Sequence, residues 1–353
     1  MKKLSLILFI IITPLILSGC FIKINTTGSS DAGVFKSTTR GEEWQQSTIV
    51  YGLDEIIDNF NTVDATVMVM DNLDNKAIYY GTTDRGIYYT YNGGAGWQQT
   101  LSGRGKINDI AISPKESCII YVAIGNRVYK TSDCSRNWEY KLIEASPNTS
   151  NIINTLAVDP YNSSVVYSGT SGKGLYRSDD SGYSWHVVKY FDGPIVKVML
   201  NPNFENMIYV ATSRNGIFKS IDGGENWQEV IGKELPKQYT GMLEYHKLIF
   251  DNNYDDGLFF ANKYGLFRSF DGGENWNNIE LLIKPGVRAI YSIAVNPTNE
   301  DEIYYTVSDT FYRSEDGGEN WVTRNLPTSR APKFMLLDPL NPDTLYIGTK
   351  RVK

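Results

Sequence analysis

Histidine and cysteine are scarce, with two and three copies in 353 residues. The two histidines, His186 and His246, stand far apart in the chain, which argues against a histidine-built metal centre or Ser-His catalysis. Beyond the first twenty residues no segment shows apolar periodicity of helix length, so a helical bundle is not expected. A basic excess is also missing. The formal net charge is −6, and an acidic chain is a poor nucleic-acid binder. What is abundant is 24 Tyr and 31 Gly with modest charge, the composition of a soluble, β-rich protein with ample material for a core.

The first residues are of another kind. Lys2 and Lys3 precede an apolar run from Leu4 to Leu17, which ends in Leu17-Ser18-Gly19-Cys20. This is the layout of a secretion signal, and the run is short of the roughly 20 residues a membrane span needs. Leu-Ser-Gly-Cys resembles the bacterial lipobox, in which the Cys sulfur is acylated and becomes the first residue after cleavage. The resemblance implies a signal peptide over 1–20, lipidation at Cys20, and a protein exported and held at the cell membrane facing outside the cytoplasm. Residues 21–32, rich in Ser, Thr and Gly, are expected to be a flexible tether, with the fold in 33–353. Loss of residues 1–20, which hold two Lys and no Asp or Glu, takes the net charge from −6 to −8.

All seven tryptophans end the same eight-residue segment: Ser37 to Trp44, Thr90 to Trp97, Thr131 to Trp138, Ser178 to Trp185, Ser220 to Trp227, Ser269 to Trp276 and Ser314 to Trp321. The intervals between them are 53, 41, 47, 42, 49 and 45 residues, a period that fits one four-stranded propeller blade. In the third full repeat the strands are expected at 153–158, 165–170, 174–178 and 185–190. The second strand of each period carries an aromatic column (Tyr79, Tyr121, Tyr167, Tyr209, Phe259, Tyr304, Tyr346). Two residues on comes a small-residue column (Gly81, Ala123, Gly169, Ala211, Ala261, Thr306, Gly348). Residues two apart share a sheet face, and large beside small lets stacked blades interdigitate. The fold class expected is all-β, a seven-bladed propeller.

Within the segment the third residue is Asp in five copies (Asp133, Asp180, Asp222, Asp271, Asp316), placed to accept hydrogen bonds from turn amides, and the fifth is usually Gly. The alternating oxygen ligands of a calcium loop are missing, so these are read as structural turns with no metal or cofactor. Ser-x-Asp-x-Gly-x-x-Trp resembles the Asp-box, or BNR, repeat of sialidases, xyloglucanases, sortilin and photosystem II assembly factors, across essentially all of 33–353. The Val166-Tyr-Ser-Gly-Thr170 and Gly174-Leu-Tyr-Arg-Ser178 strings are similar to the repeats of sortilin and xyloglucanase. A single lipid-anchored ring is closer in layout to the cyanobacterial assembly factor.

The C-terminal stretch 333–349 has two strands and no box, while 33–37 and 44–50 read as the missing third and fourth strands, so one blade is expected to be assembled from both chain ends. Cys118 and Cys134 fall opposite each other if their hairpin turns near Gly125 and Asn126. A disulfide is expected there in an exported protein, contributing about 3 kcal/mol in the chain-entropy model.

In an up-and-down blade the boxes share one rim with the first turn, and the turns between the second and third strands (B–C) lie on the other. Those B–C turns carry Arg85, Arg127, Lys173, Arg214 and Lys263, then Asp309, then Lys350 and Arg351. The segments entering the inner strands add Arg104, Lys106, Lys247, Lys284, Arg288, Arg330 and Lys333 near the axis. This predicts a positive face on a negative body, suited to an anionic protein or glycan partner bound by a monomeric, non-catalytic ring. The rival reading is a glycosidase, which needs two carboxylates roughly 5–9.5 Å apart. Asp58, Asp64, Asp84, Asp192, Glu244 and Asp309 lie on the same rim, but no spacing pairs them. The Arg-Ile-Pro signature of sialidases is absent, and xyloglucanases carry two propellers.

Overall fold

The computed structural model describes residues 30–52, 55–143, 151–231 and 243–351. The signal segment, Cys20 and most of the expected tether lie outside the described residues. Seven four-stranded antiparallel sheets form a ring, with one extra two-stranded hairpin. We number the blades 1 to 7 from Ala65 and letter their strands A to D outward from the axis. In blade 3 these are Ile153–Val158, Val166–Thr170, Gly174–Ser178 and His186–Tyr190, within a residue of expectation.

The aromatic column of the B strands is the buried core of each blade, every member being at most 2% exposed. Each such ring buries roughly 150–250 Å², worth several kcal/mol at about 25 cal/mol per Å². The small column beside it receives the next blade. A Cβ on Gly169 of blade 3 would stand 2.4 Å from Cγ2 of Ile195 in blade 4, and one on Gly348 of blade 7 would stand 3.1 Å from Sδ of Met68 in blade 1. Any larger side chain there would push neighbouring A strands apart.

Opposite the aromatic column, on the C strand, lies a register partner that the sequence reading passed over. Lys36, Lys130, Arg177, Lys219, Arg268 and Arg313 pair directly with Tyr346, Tyr121, Tyr167, Tyr209, Phe259 and Tyr304. In blade 1 Tyr89 stacks on Tyr79 instead. The Arg177, Lys219 and Arg268 cations sit 5.6, 5.7 and 5.0 Å from the ring centres they cover. Beneath them the tyrosine hydroxyls reach into the following blade's box: Tyr167 donates to Gly223 O at 3.3 Å, Tyr209 to Gly272 O at 3.2 Å and Tyr346 to Gly93 O at 3.0 Å.

The box closes on itself by two side chains. In all seven copies the first residue's hydroxyl accepts the amide of the fifth, as from Gly41 to Ser37 (3.0 Å), Ser135 to Thr131 (3.2 Å) and Gly318 to Ser314 (2.8 Å). The third residue accepts the amide of the seventh, Asp316 from Asn320 at 2.8 Å for example. Thr39 and Asn92 do the same work in the two boxes without Asp. These bonds hold the carboxyls of Asp133, Asp222 and Asp316 down at about 2, through the amide and side chain of Asn137, Asn226 and Asn320. Asp180 is held at about 2 mainly by Ser184, and Asp271 is lowered against its partial burial by Asn275. The seven tryptophans lock each box either to itself, as Trp44 to Gly41 O, Trp185 to Gly182 O and Trp227 to Gly224 O, or to the preceding blade. Trp97 reaches Ser47, Trp138 Thr100, Trp276 Val230 O and Trp321 Glu280 O.

Blade 7 is made from both ends, in the order Ala331–Leu337, Leu345–Lys350, Val34–Ser37 and Gln45–Gln46. Its D strand is shorter than the expected 44–50. After Ser47, whose amide still bonds Val34 O, the chain leaves the blade because Trp97 exchanges backbone hydrogen bonds with Ile49 and Tyr51. Ile49–Tyr51 then pairs with Ile56–Asn59 as the extra hairpin. The ring also takes hold of the chain before residue 33. Ala32 is fully buried and its amide bonds Asn61 O, while Asp31 is ion-paired with Arg330, so Asp31 and Ala32 belong to the fold and not to a free tether. Arg40, in the box of blade 7, bonds buried Glu302 of blade 6 at 2.9 Å and Asp343 at 3.2 Å, which ties the N-terminal half of the blade to blade 6 and to its own C-terminal half. In blade 2, Cys118 and Cys134 form a disulfide across the hairpin, with Cα atoms 4.2 Å apart.

Ending the chain before Leu345 removes the B strand between the two halves of blade 7. The cooperative thermal transition seen by circular dichroism should broaden and fall in temperature, and an unchanged melt would show that the ring does not depend on this closure. A second expectation concerns Asp251, fully buried and 2.7 Å from Arg268, which is itself 9% exposed. Asp251→Ala leaves that guanidinium without its buried partner and should cost about 3–5 kcal/mol in urea unfolding.

Candidate functional site

The B–C turns are rigid platforms. In blades 1, 3 and 4 a buried threonine closes the turn by donating to a glycine carbonyl four residues on, Thr82 to Gly86, Thr170 to Gly174 and Thr212 to Gly216. Blade 5 uses buried Asn262, which accepts the amides of Tyr264 and Gly265. Each turn therefore holds its basic residue outward, and Arg85, Lys173, Arg214 and Lys263 are all exposed. Arg127 opens the C strand of blade 2 with its guanidinium 5.3 Å from the centre of the Tyr140 ring.

The two rims differ in how their cations are used. On the box side Arg40, Arg177, Lys219, Arg268 and Arg313 are all ion-paired. Among the described residues, Arg85, Arg127, Lys173, Arg214 and Lys263 have no such partner. The segments entering the A strands are mixed. Arg330 was expected among the free charges near the axis, but it is consumed by Asp31 and by Asp64, one of the rim carboxylates. Arg288 is exposed and donates to Ser308 Oγ at 2.6 Å.

Along the axis runs a cavity of about 820 Å³, walled by the A strands of all seven blades. Its shape depends on a recurring β-bulge. The ladder slips by one residue at the start of the A strand in blades 1, 2, 3, 4 and 7, so that Thr66, Asn108, Asn154, Val196 and Lys333 are extra residues facing the axis. At the next level, register with the small column brings Val67, Asp109, Thr155, Lys197, Lys247, Ser292 and Phe334 together. Four lysines line the cavity: Lys197, Lys247, Lys333 and Lys350. Lys333 Nζ lies 4.0 Å from the centre of the Tyr291 ring, and Lys247 Nζ 5.9 Å from that of Phe334.

Among the described residues the lining includes a single carboxylate, Asp109, which accepts the amides of Ile110 at 3.0 Å and Leu156 at 2.9 Å. Burial, with neighbouring Lys197, lowers the Lys247 ammonium to about 8. Lys333 and Lys106 are lowered as well, by burial first and then by Lys350. His246, also in the lining, is lowered by burial. Lys333 and Lys247 were expected near the axis. Lys197 was missed, and the signal for it was a column of mixed polarity across the A strands. No group of three or more His, Cys, Asp or Glu able to hold a metal ion occurs among the described residues.

No protein-family model matches the chain. Among curated proteins it is similar to a xyloglucanase of Hypocrea jecorina, 26% identical over 139 residues, which are 33% of this chain and 17% of that protein. It is also similar to xyloglucanase Xgh74A of Acetivibrio thermocellus, 29% identical over 115 residues, or 28% of this chain and 13% of that one. Among solved structures, the GH74 xyloglucanase of Xanthomonas campestris superposes with a TM-score of 0.68 at 17% identity, over 87% of this chain and 52% of that one. YCF48 bound to D1 peptide gives 0.62 at 15% identity, over 82% of this chain and 93% of that one. At these identities the likeness is one of fold. The chain spans a small fraction of the curated xyloglucanases it matches and about half of the solved one, whereas it is matched in extent by YCF48.

The placement of Lys247 gives a direct test. Its acylation by an amine reagent, followed residue by residue by mass spectrometry, should rise with a midpoint near pH 8 instead of the ordinary lysine value of about 10.4. Lys197→Met removes the neighbouring charge and should move that midpoint upward.

Proposed function

We propose that the protein is a non-catalytic binding scaffold, exported and held at the membrane through Cys20, whose B–C rim captures an anionic protein or glycan. The reading is carried by the B–C turns: Arg85, Arg127, Lys173, Arg214 and Lys263 are exposed on rigid supports and, among the described residues, have no ion-pair partner, whereas Arg40, Arg177, Lys219, Arg268 and Arg313 on the box side are paired. Exposed charges of this kind steer and select a partner more than they stabilise the fold. A single ring of the same extent that holds a peptide, YCF48 with D1 peptide, supports the plausibility of a protein ligand.

The second reading, a glycoside hydrolase, is favoured by the GH74 likeness. Against it stands the chemistry of the axial cavity. Glycoside cleavage needs an acid and a second carboxylate across the sugar. Asp109 is alone in the lining, and both of its oxygens accept backbone amides.

The test is binding of a simple polyanion, poly-L-glutamate, to the full chain, with turnover of xyloglucan oligosaccharides assayed in parallel. Binding should weaken with added salt and drop by about tenfold or more when Arg85, Arg127 and Arg214 are all replaced by Glu. Salt-independent binding, or binding untouched by the triple replacement, would remove the scaffold reading, and turnover would install the hydrolase.

A further inference from the structure

A ring that closes with neutral residues at most positions of its inner wall has no structural need for several lysines there. At the level of Lys197 and Lys247, blades 1, 3, 6 and 7 carry Val67, Thr155, Ser292 and Phe334. The fold thus accepts apolar, hydroxyl and aromatic side chains at this position, and the ammonium groups are an addition to it. They are an awkward addition. Lys197 and Lys247 occupy adjacent blades at one level, where each raises the cost of charging the other. Lys333 and Lys350 are close enough to have the same effect.

Little within the cavity cancels this charge: Asp109 of blade 2, which acts favourably on Lys247, is one carboxylate against four lysines. Among the described residues none of the four lysines is in an ion pair, and the lone carboxylate of the lining, Asp109, is committed to two amides. The Phe334 and Tyr291 rings offset only part of it, since a ring face is worth about 0.5–2 kcal/mol to a cation. Desolvated cations without counter-charges mark binding sites more often than structural ones. A volume of about 820 Å³ is in the range of sites for small molecules.

We propose that the central channel is a binding site for a small multivalent oxyanion, a compound with two or more carboxylate or phosphate groups, held by Lys197, Lys247, Lys333 and Lys350. The multivalence follows from the layout. The lysines come from blades 4, 5 and 7, around the axis, so one anionic group near Lys197 and Lys247 leaves Lys333 and Lys350 uncompensated. Thr66, Asn108 and Tyr245 in the same lining supply neutral hydrogen-bonding groups to orient such a molecule. The site is separate from the rim cations that would meet a macromolecule, and it goes beyond the scaffold reading instead of resting on it.

The experiment uses the full chain with citrate and, separately, pyrophosphate as probes, at constant pH 7 and constant ionic strength set with sodium chloride. Either probe should raise the melting temperature saturably, by on the order of 5 °C at a hundredfold excess over Kd, and titrate with one-to-one stoichiometry in calorimetry. The probe that binds identifies the anionic group preferred. Lys197→Met combined with Lys247→Met should abolish the shift. Because it removes unpaired charge, its melting temperature without probe should match or exceed that of the parent, which separates loss of the site from loss of the fold. The variant with Glu at positions 85, 127 and 214 should keep the shift, so failure of the rim reading does not touch this one. The proposal is overturned if neither anion gives a saturable shift in the parent chain, or if the shift survives in the doubly substituted one.

Discussion

The interaction that fastens three of the seven blade junctions is the tyrosine hydroxyl that crosses from one blade into the box of the next. A phenol buried to 2% or less must find a partner or forfeit about 1–3 kcal/mol. The box supplies it as a backbone carbonyl at Gly223 for Tyr167 and at Gly93 for Tyr346, while Tyr209 lies between Asp256 Oδ1 at 2.6 Å and Gly272 O at 3.2 Å. The box can offer that carbonyl because its own amides are already taken by the Ser or Thr hydroxyl and the Asp carboxylate. The motif is therefore a latch between blades as much as a turn within one. In two of the blades without that contact a charge stands in its place: Tyr304 bonds buried Glu302, which holds Arg40 of the closing blade, and Phe259, with no hydroxyl, lies under an Arg268 paired to Asp251 and Glu300, whereas Tyr79 donates to the Tyr91 hydroxyl.

This constraint bears on how charge is divided between the two rims. A basic residue lies over every aromatic ring but one, at the box end of the C strand, and four of these six, Arg177, Lys219, Arg268 and Arg313, are neutralised locally by ion pairs. The carboxylates that do so, Asp179, Asp256, Asp251, Glu300 and Glu42, are drawn to the box rim. An acidic chain thus spends much of its acid on one rim and leaves the turns on the other with unpaired cations. The polarity of the molecule is a consequence of how its blades are fastened.

The tryptophan spacing made the blade count legible because each interval is a whole supersecondary unit, and a turn motif survives in sequence even when Thr39 or Asn92 replaces its Asp. Closure by the chain ends was legible for the same reason, since half a repeat was missing at one end and present at the other. The inner wall was far less so. Strand alternation tells which residues share a face only until a bulge intervenes, and one extra residue moves the remainder to the other face. The bulges at the start of the A strands of blades 4 and 7 set how Val196, Lys197 and Lys333 meet the channel, and strand alternation in the sequence does not mark where those bulges fall. Arg330 failed as a free charge because its partner Asp31 lies 299 residues away, in what reads locally as tether. The outward hairpin was hidden likewise, since it is Trp97 of another blade that pulls Ile49 and Tyr51 out of line.

The rim and the channel also differ in what their charges can do. On the B–C turns water screens each cation within about 8 Å at physiological salt, so these residues act together only on a ligand large enough to span several blades. In the channel the walls are protein, the dielectric is lower, and field lines from several lysines converge on one volume. The same number of charges is thus weakly cooperative outside and strongly cooperative inside. Burial first, and then neighbouring Lys197, lowers the Lys247 ammonium to about 8. A large anion would be gathered by the rim, and a small one would be held at the axis.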